Sequence, residues 1–180
     1  TNSLVAIGNL YGGGDQGNTL GNIEVNASGK ITNLYGGANK ADVEGSISVE
    51  ITDANIESCY GANNLSGNLS EDIRLSVNNS TIKMLYGGGN EAYTKDSTDI
   101  VRGSNNKLKN VYGGSKLADV DNSKVEIYGG MFENIYGGSH LSGTVQNSSV
   151  IVDSTKFVEN DVYLDINLKI EPTTWQSTEY

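Results

Sequence analysis

Apolar and polar residues alternate in short segments that recur along the chain. In the segment 47–51 (Ile-Ser-Val-Glu-Ile) every second residue is β-branched, and similar segments lie at 23–25, 73–77, 125–127 and 150–152. A two-residue period of this kind is typical of a strand with one buried face. No 3.6-residue period accompanies it, so the pattern predicts an all-β chain.

A tyrosine followed by glycine recurs at nearly constant intervals. The spacings between successive tyrosines are 24, 25, 26, 26 and 24 residues. Regular spacing indicates a repeat architecture, in which no unit buries its apolar face alone and stacking with its neighbours completes the core. The tyrosines, called the tyrosine column below, are Tyr11, Tyr35, Tyr60, Tyr86, Tyr112 and Tyr136.

Other positions also fall into columns when the repeats are aligned on the tyrosine. The fourth residue before it is always large and apolar, and the residue directly before it is Leu10, Leu34, Cys59, Leu85, Val111 or Ile135. Two residues before it, asparagine occurs as Asn9, Asn33, Asn110 and Asn134. Because stacked amides can hydrogen-bond to their equivalents above and below, we predict that these asparagines link successive repeats.

The repeats predict a single parallel β-solenoid of about six coils of 24–26 residues, with up to three short strands per coil. The third and weakest strand is expected at 41–43, 118–120 and 143–145. We assign residues 1–160 to the solenoid, the alternating segment 161–171 to a capping strand, and 172–180 to a tail or linker. The chain starts almost within a repeat, so we expect it to be a fragment of a larger protein.

The glycines after each tyrosine permit two interpretations. They mark backbone that needs a positive φ or that another group approaches closely, as when a tyrosine ring lies over the glycines of the next coil. That arrangement gives a packed aromatic ladder, which we favour. The alternative is an exposed stripe of the six tyrosines, one per coil, that serves as a ligand-binding platform for sugar rings or for a protein partner.

Residues that could carry chemistry are few. His140 is the only histidine, and we expect it in a surface turn. Cys59 is the only cysteine, and we expect a buried, inert thiol because its column is otherwise aliphatic. Aspartates such as Asp99 are expected among the turns, and the two arginines, Arg74 and Arg102, lie beside no acidic cluster in the repeat frame. We therefore expect no catalytic residue, no metal site and no cofactor.

Charge and cysteine content restrict the classes of partner. The formal net charge of -10 argues against binding to nucleic acid or to an anionic membrane, which would repel the chain. A single cysteine excludes an internal disulfide framework, and no apolar run is long enough to span a bilayer. We expect a secreted or cell-surface protein whose partner is a glycan or a protein of a host or of the environment. The sequence leaves the oligomeric state open.

The recurring motifs Ile-x-Asn-Leu-Tyr-Gly-Gly-Gly and Asn-Ser-x-Val-x-Val resemble the parallel β-helix repeats of large Gram-positive bacterial surface proteins, which are often adhesin-like. The chain is similar, more widely, to the right-handed β-helices of pectate lyases. The resemblance covers residues 5 to about 160 and implies a non-catalytic adhesin scaffold or ligand-presenting domain. Because the fold also carries enzymes, the alternative is a polysaccharide-binding module or a polysaccharide lyase or hydrolase. The lyases' calcium cluster and basic catalytic residue have no matching positions, so no site residue is carried over.

Overall fold

A computed structural model describes residues 5–153 and confirms an all-β parallel solenoid of about six coils. The predicted capping strand at 161–171 and the tail at 172–180 lie outside the described residues. Within the described range, no helix is long and apolar enough to cross a bilayer. The strands are β1 (Ala6–Tyr11), β2 (Ile23–Tyr35), β3 (Ile47–Tyr60), β4 (Ile73–Asn78), β5 (Thr81–Tyr86), β6 (Thr94–Arg102), β7 (Lys107–Tyr112), β8 (Val120–Ile127), β9 (Met131–Tyr136) and β10 (Val145–Val152).

The strands form two rows that meet at a corner. The A row contains the first parts of β2 and β3 followed by β4, β6, β8 and β10, and the B row contains β1, the second parts of β2 and β3, and then β5, β7 and β9. At the corner the backbone turns through positive φ, at Gly29 (80°), Asp53 (54°), Asn79 (45°) and Gly103 (88°). Glycine, asparagine and aspartate tolerate this conformation best, which explains their place in the repeat.

Neighbouring coils pair in parallel and in register, so equal positions of the repeat lie on top of one another. Ile31 pairs with Ile56, and Tyr60 pairs with both Tyr35 and Tyr86. The weak third strand is a single bridged residue in the early coils, where Val43 pairs with the residues at 19 and 69. In the later coils its counterparts open β6, β8 and β10.

The core lies between the two rows and is aliphatic. The column before the tyrosines is fully buried at Leu34, Cys59, Leu85 and Val111, as the sequence predicts. Burial raises the pKa of the Cys59 thiol well above its usual range, so the thiol stays protonated at neutral pH. Cys59 therefore fills the core as a small apolar residue would.

The first glycine after each tyrosine is required by the next coil. A Cβ at Gly36 would lie 2.2 Å from the carbonyl oxygen of Gly61 and 2.7 Å from Cγ2 of Val49 across the core. The same clash with a carbonyl oxygen, at 2.2 Å, arises for Gly12. Of the two alternatives that the sequence left open, close approach is the one that applies, and these glycines do not have a positive φ. The group that approaches is the neighbouring backbone, and not the tyrosine ring that we expected.

Candidate functional site

The six rings of the tyrosine column form one continuous stack. Successive ring centroids lie 4.8 to 5.2 Å apart, and the ring planes differ by 6 to 12°. This spacing follows the separation of paired strands, because each ring leaves the backbone at the same position of its coil. The tyrosine column is therefore one continuous structural element of the solenoid wall and not a set of independent side chains.

Most of this stack is packed. Tyr35, Tyr60, Tyr86 and Tyr112 are between 2% and 7% exposed, whereas Tyr11 is half-buried and Tyr136 is 46% exposed. Because the ring faces cover one another, the four central rings offer no flat surface on which a sugar could stack. Ligand binding to the two end rings stays a prediction.

Burial also fixes the protonation state of the central tyrosines. Burial raises the pKa of Tyr60 to about 12, and the adjacent Tyr35 adds to the effect. The pKa of Tyr86 is raised by the same cause, with smaller contributions from Tyr60 and Tyr112. These hydroxyls remain neutral hydrogen-bonding groups at physiological pH.

The fourth position after each tyrosine, called the turn column, carries a ladder of side-chain amides. Nδ2 of Asn39 donates to Oδ1 of Asp15 at 2.6 Å, Asn64 donates to Asn39 at 2.8 Å, and Asn90 donates to Asn64 at 2.9 Å. The ladder ends there because the next position is Lys116, and Oδ1 of Asn90 is buried without a donor among the described residues.

His140 occupies the last described position of the turn column. Its ring stacks on Tyr112, with centroids 4.4 Å apart, and its Nδ1 lies 2.9 Å from the hydroxyl oxygen of Tyr86. Burial, together with the charge of Lys116, lowers the pKa of His140. His140 lies in a turn and is partly exposed, as predicted, but the sequence did not indicate that its imidazole packs against the tyrosines of two earlier coils.

The predicted asparagine links are present at both ends of the solenoid. Asn33 donates to Oδ1 of Asn9 at 2.9 Å, and Asn134 donates to Oδ1 of Asn110 at the same distance. In the middle coils the column holds Ser58 and Met84. The asparagines therefore have the structural role predicted for them.

Asp99 is the main departure from the sequence-based expectation. It lies in β6 rather than in a turn, in register with Leu75 and Val125, and it is fully buried. Neither carboxyl oxygen has a hydrogen-bond partner among residues 5–153, and burial raises the pKa of the carboxyl well above its usual range. Burial therefore favours the protonated, neutral form of Asp99, which is enclosed in the core.

A polar groove lies on the outer surface where the A row turns into the B row. This corner groove has a volume of about 390 Å³ and is lined by Glu50, Ser76, Asn78, Arg102 and the turn at 103–105, among others. Sequence reasoning noted Arg102 but missed the groove, because its residues come from β3, β4 and β6 and meet only through the stacking of coils.

The described residues contain no group of three or more histidine, cysteine, aspartate or glutamate side chains that could hold a metal ion. No family model matches the chain, and searches of curated proteins and of solved structures also find no match.

Proposed function

We propose that the chain is a non-catalytic extracellular segment that acts as a rigid scaffold or ligand-presenting domain of an adhesin-like protein on a bacterial surface. One observation carries the proposal: the tyrosine column is stacked without a break through all six coils. Each coil is thereby held to the next by ring packing in addition to strand pairing. A rod built in this way keeps whatever is attached to its two ends at a fixed separation.

The surface location in this proposal has separate support. The Tyr-Gly-Gly and Asn-Ser-x-Val motifs resemble those of bacterial surface repeats, and a net charge of -10 suits a protein that must stay soluble outside the cell. The side-chain ladders add a second argument, because exposed amide links such as Asn33–Asn9 join coils at the surface through polar groups. Together these features fit a spacer exposed to solvent.

A polysaccharide-binding or polysaccharide-cleaving domain is the second candidate, and the corner groove is the observation that favours it. Glycoside hydrolysis generally needs two carboxyl groups on opposite sides of the bond that breaks. Glu50 is the only acidic residue among the residues that line the groove. The groove therefore supports binding of a saccharide better than its cleavage.

The scaffold proposal is tested by measuring the rigidity of the rod. Glu24 and Ser149 occupy the same outward column at opposite ends of the A row, five strand spacings or about 24 Å apart. Spin labels at Glu24→Cys and Ser149→Cys should give one narrow distance distribution in pulsed electron resonance, while the buried Cys59 stays unlabelled. A broad distribution would overturn the spacer role.

The location and the absence of catalysis are tested separately. Antibodies against the chain should label intact cells of the organism that makes it, and mild protease treatment should release the epitope. The purified chain should leave a panel of neutral and acidic polysaccharides uncleaved. Turnover that is lost in Glu50→Gln would replace the scaffold with the enzymatic alternative.

A further inference from the structure

The corner groove has walls that are held in place before any ligand arrives. Its outer wall is the turn after β6, in which Gly103 has a φ of 88°. Nδ2 of the buried Asn106 donates to the carbonyl oxygens of Arg102 and Gly103, while its Oδ1 accepts from the amide of Ser80 at 3.0 Å. A single amide side chain thus ties the turn to the previous coil and fixes the shape of the groove.

Arg102 is the unusual member of the lining. Its guanidinium has no hydrogen bond or ion pair within the described residues, and its Nε is shielded from solvent without an acceptor. A charged donor without a partner is costly in a partly buried place, and the cost is removed when an anion supplies the acceptors. Glu50 lines the same groove but does not form an ion pair with Arg102.

The remaining lining is suited to a ligand with many hydroxyl groups. Ser76, Asn78 and Glu50 together offer hydroxyl, amide and carboxylate groups, so both donors and acceptors face the same space. A volume of about 390 Å³ falls within the range of small-molecule sites and accommodates one or two sugar rings. Apolar side chains contribute little to the lining, which argues against a lipid or an aromatic ligand.

We propose that the corner groove binds an acidic saccharide unit of the hexuronate type. The carboxylate of the sugar pairs with the planar guanidinium of Arg102, which matches it in two parallel hydrogen bonds. The sugar hydroxyls bond to Ser76 and Asn78 and donate to Glu50. This inference goes beyond the scaffold role, because the rigidity of the rod does not depend on whether the groove is occupied.

The negative net charge of the chain means that an anionic ligand needs a local positive group such as Arg102. The chain as a whole repels anions, since its net charge is -10, so binding of an acidic sugar needs a local positive group. The only other arginine, Arg74, lies exposed on the outer face of β4 in the neighbouring coil and does not line the groove. Arg74 therefore provides a matched control for any effect of positive charge in general.

The experiment is a titration of the isotope-labelled chain, followed by NMR, with methyl glucuronide and with methyl glucoside, which differ only at the carboxylate. Amide signals of residues 50–52, 76–79 and 102–105 should shift with the glucuronide, and the glucoside should bind at least about fivefold more weakly, roughly 1 kcal/mol. Arg102→Gln should reduce glucuronide affinity about tenfold or more. Arg74→Gln should leave it within twofold.

Glu50→Gln gives a second and independent readout on an exposed residue. Because it removes a negative charge next to the bound carboxylate and keeps an amide oxygen that accepts from the sugar hydroxyls, it should raise glucuronide affinity, and a clear loss of affinity would contradict the proposal. The proposal is overturned if the groove signals do not shift, if both sugars bind equally, or if Arg74→Gln weakens binding as much as Arg102→Gln. The distance distribution between labels at 24 and 149 is unaffected by any of these results, so the two proposals fail separately.

Discussion

The hydroxyl of Tyr86 lies 2.9 Å from Nδ1 of His140, although 54 residues separate the two along the chain. The contact spans two coils, and Tyr11 and Asn64 repeat it at the other end of the solenoid with a distance of 3.4 Å. The turn column thus leans over the tyrosine column. The turns that carry Asn64 and His140 therefore contact rings that belong to earlier coils.

Truncation of Tyr86 tests the packing of the stack. Tyr86 is 2% exposed and stacks on both Tyr60 and Tyr112, so Tyr86→Ala should lower the free energy of unfolding by about 3–5 kcal/mol. Tyr86→Phe keeps the ring and loses only the bond to His140, so it should cost about 1 kcal/mol. Urea unfolding measures both values. A small loss in the alanine variant would contradict a packed ladder.

His140 makes stability depend on pH near neutrality. Its pKa is lowered in the folded state, mainly by burial, so the unfolded chain binds the proton more tightly. The stability gained from neutral His140 is present above the unfolded pKa of about 6.5 and is lost as the pH falls through the folded value. Thermal unfolding between pH 7.5 and 5 should show this decline, and His140→Asn should reduce it. Equal slopes in the two proteins would refute the assignment.

Asp99 destabilises the core at neutral pH. Asp99→Val supplies the aliphatic residue found at Val125, and it should raise the free energy of unfolding at pH 7 by roughly 2 kcal/mol. Because the folded pKa is raised, wild-type stability is highest below the unfolded value of about 3.9 and falls as the pH rises through the folded value.

Comparison of Asp99→Val with Asp99→Asn separates charge from polarity. The asparagine variant cannot ionise, so its stability relative to wild type should increase with pH across this range. It should nevertheless remain less stable than the valine variant, because the amide is still unpaired in the core. If neither variant is more stable than the wild type at pH 7, the interpretation of Asp99 as an unpaired buried carboxyl is wrong.

The sequence was sufficient to predict which residues of successive coils lie on top of one another. A column shared by all repeats identifies vertical neighbours, which is why the burial of Cys59 and the stacking at Tyr60 were found correctly. Asp99 was missed because residues 94–99 lack an alternating apolar pattern, so only pairing with β4 and β8 reveals the strand.

His140 and the corner groove were missed for a different reason. The contact of His140 with Tyr86 depends on how far the turn extends across the neighbouring coils. The alignment of the repeats contains no information about this extension. The groove likewise forms where the turn after Arg102 comes together with residues of β3 and β4. The contacts that a turn makes with other coils are set by the conformation of the turn. This conformation differs from coil to coil, while the strands remain alike.

Lys116 interrupts the amide ladder of the turn column, and its replacement should extend it. Lys116→Asn places a donor next to the unpaired Oδ1 of Asn90, so it should raise the free energy of unfolding by about 1 kcal/mol. Lys116→Ala removes the same charge without adding the amide and serves as the control. Chemical denaturation should rank Asn above Ala; the reverse order would show that the ladder is not limiting at this position.

Gly36 tests how closely the coils approach each other. Gly36→Ala should lower the free energy of unfolding by about 3 kcal/mol, because its Cβ would meet the Gly61 carbonyl oxygen at 2.2 Å. At Gly17 a Cβ meets no atom within 4 Å, so Gly17→Ala should change stability by less than about 1 kcal/mol. Urea midpoints of the two variants should differ clearly. Similar midpoints would mean that the coils can separate to admit a methyl group.

The strict register of the coils has an evolutionary consequence. A coil that pairs Tyr60 with Tyr35 on one side and with Tyr86 on the other has two sides that are complementary to each other. Duplication of the gene segment for one such unit would therefore place the second copy on the first with strand pairing and tyrosine stacking already matched. Loss of a unit would rejoin its neighbours in the same way. Proteins of this design can change the length of the rod by recombination, in steps of one strand spacing. Each intermediate protein in such a series still folds as a stack of paired coils.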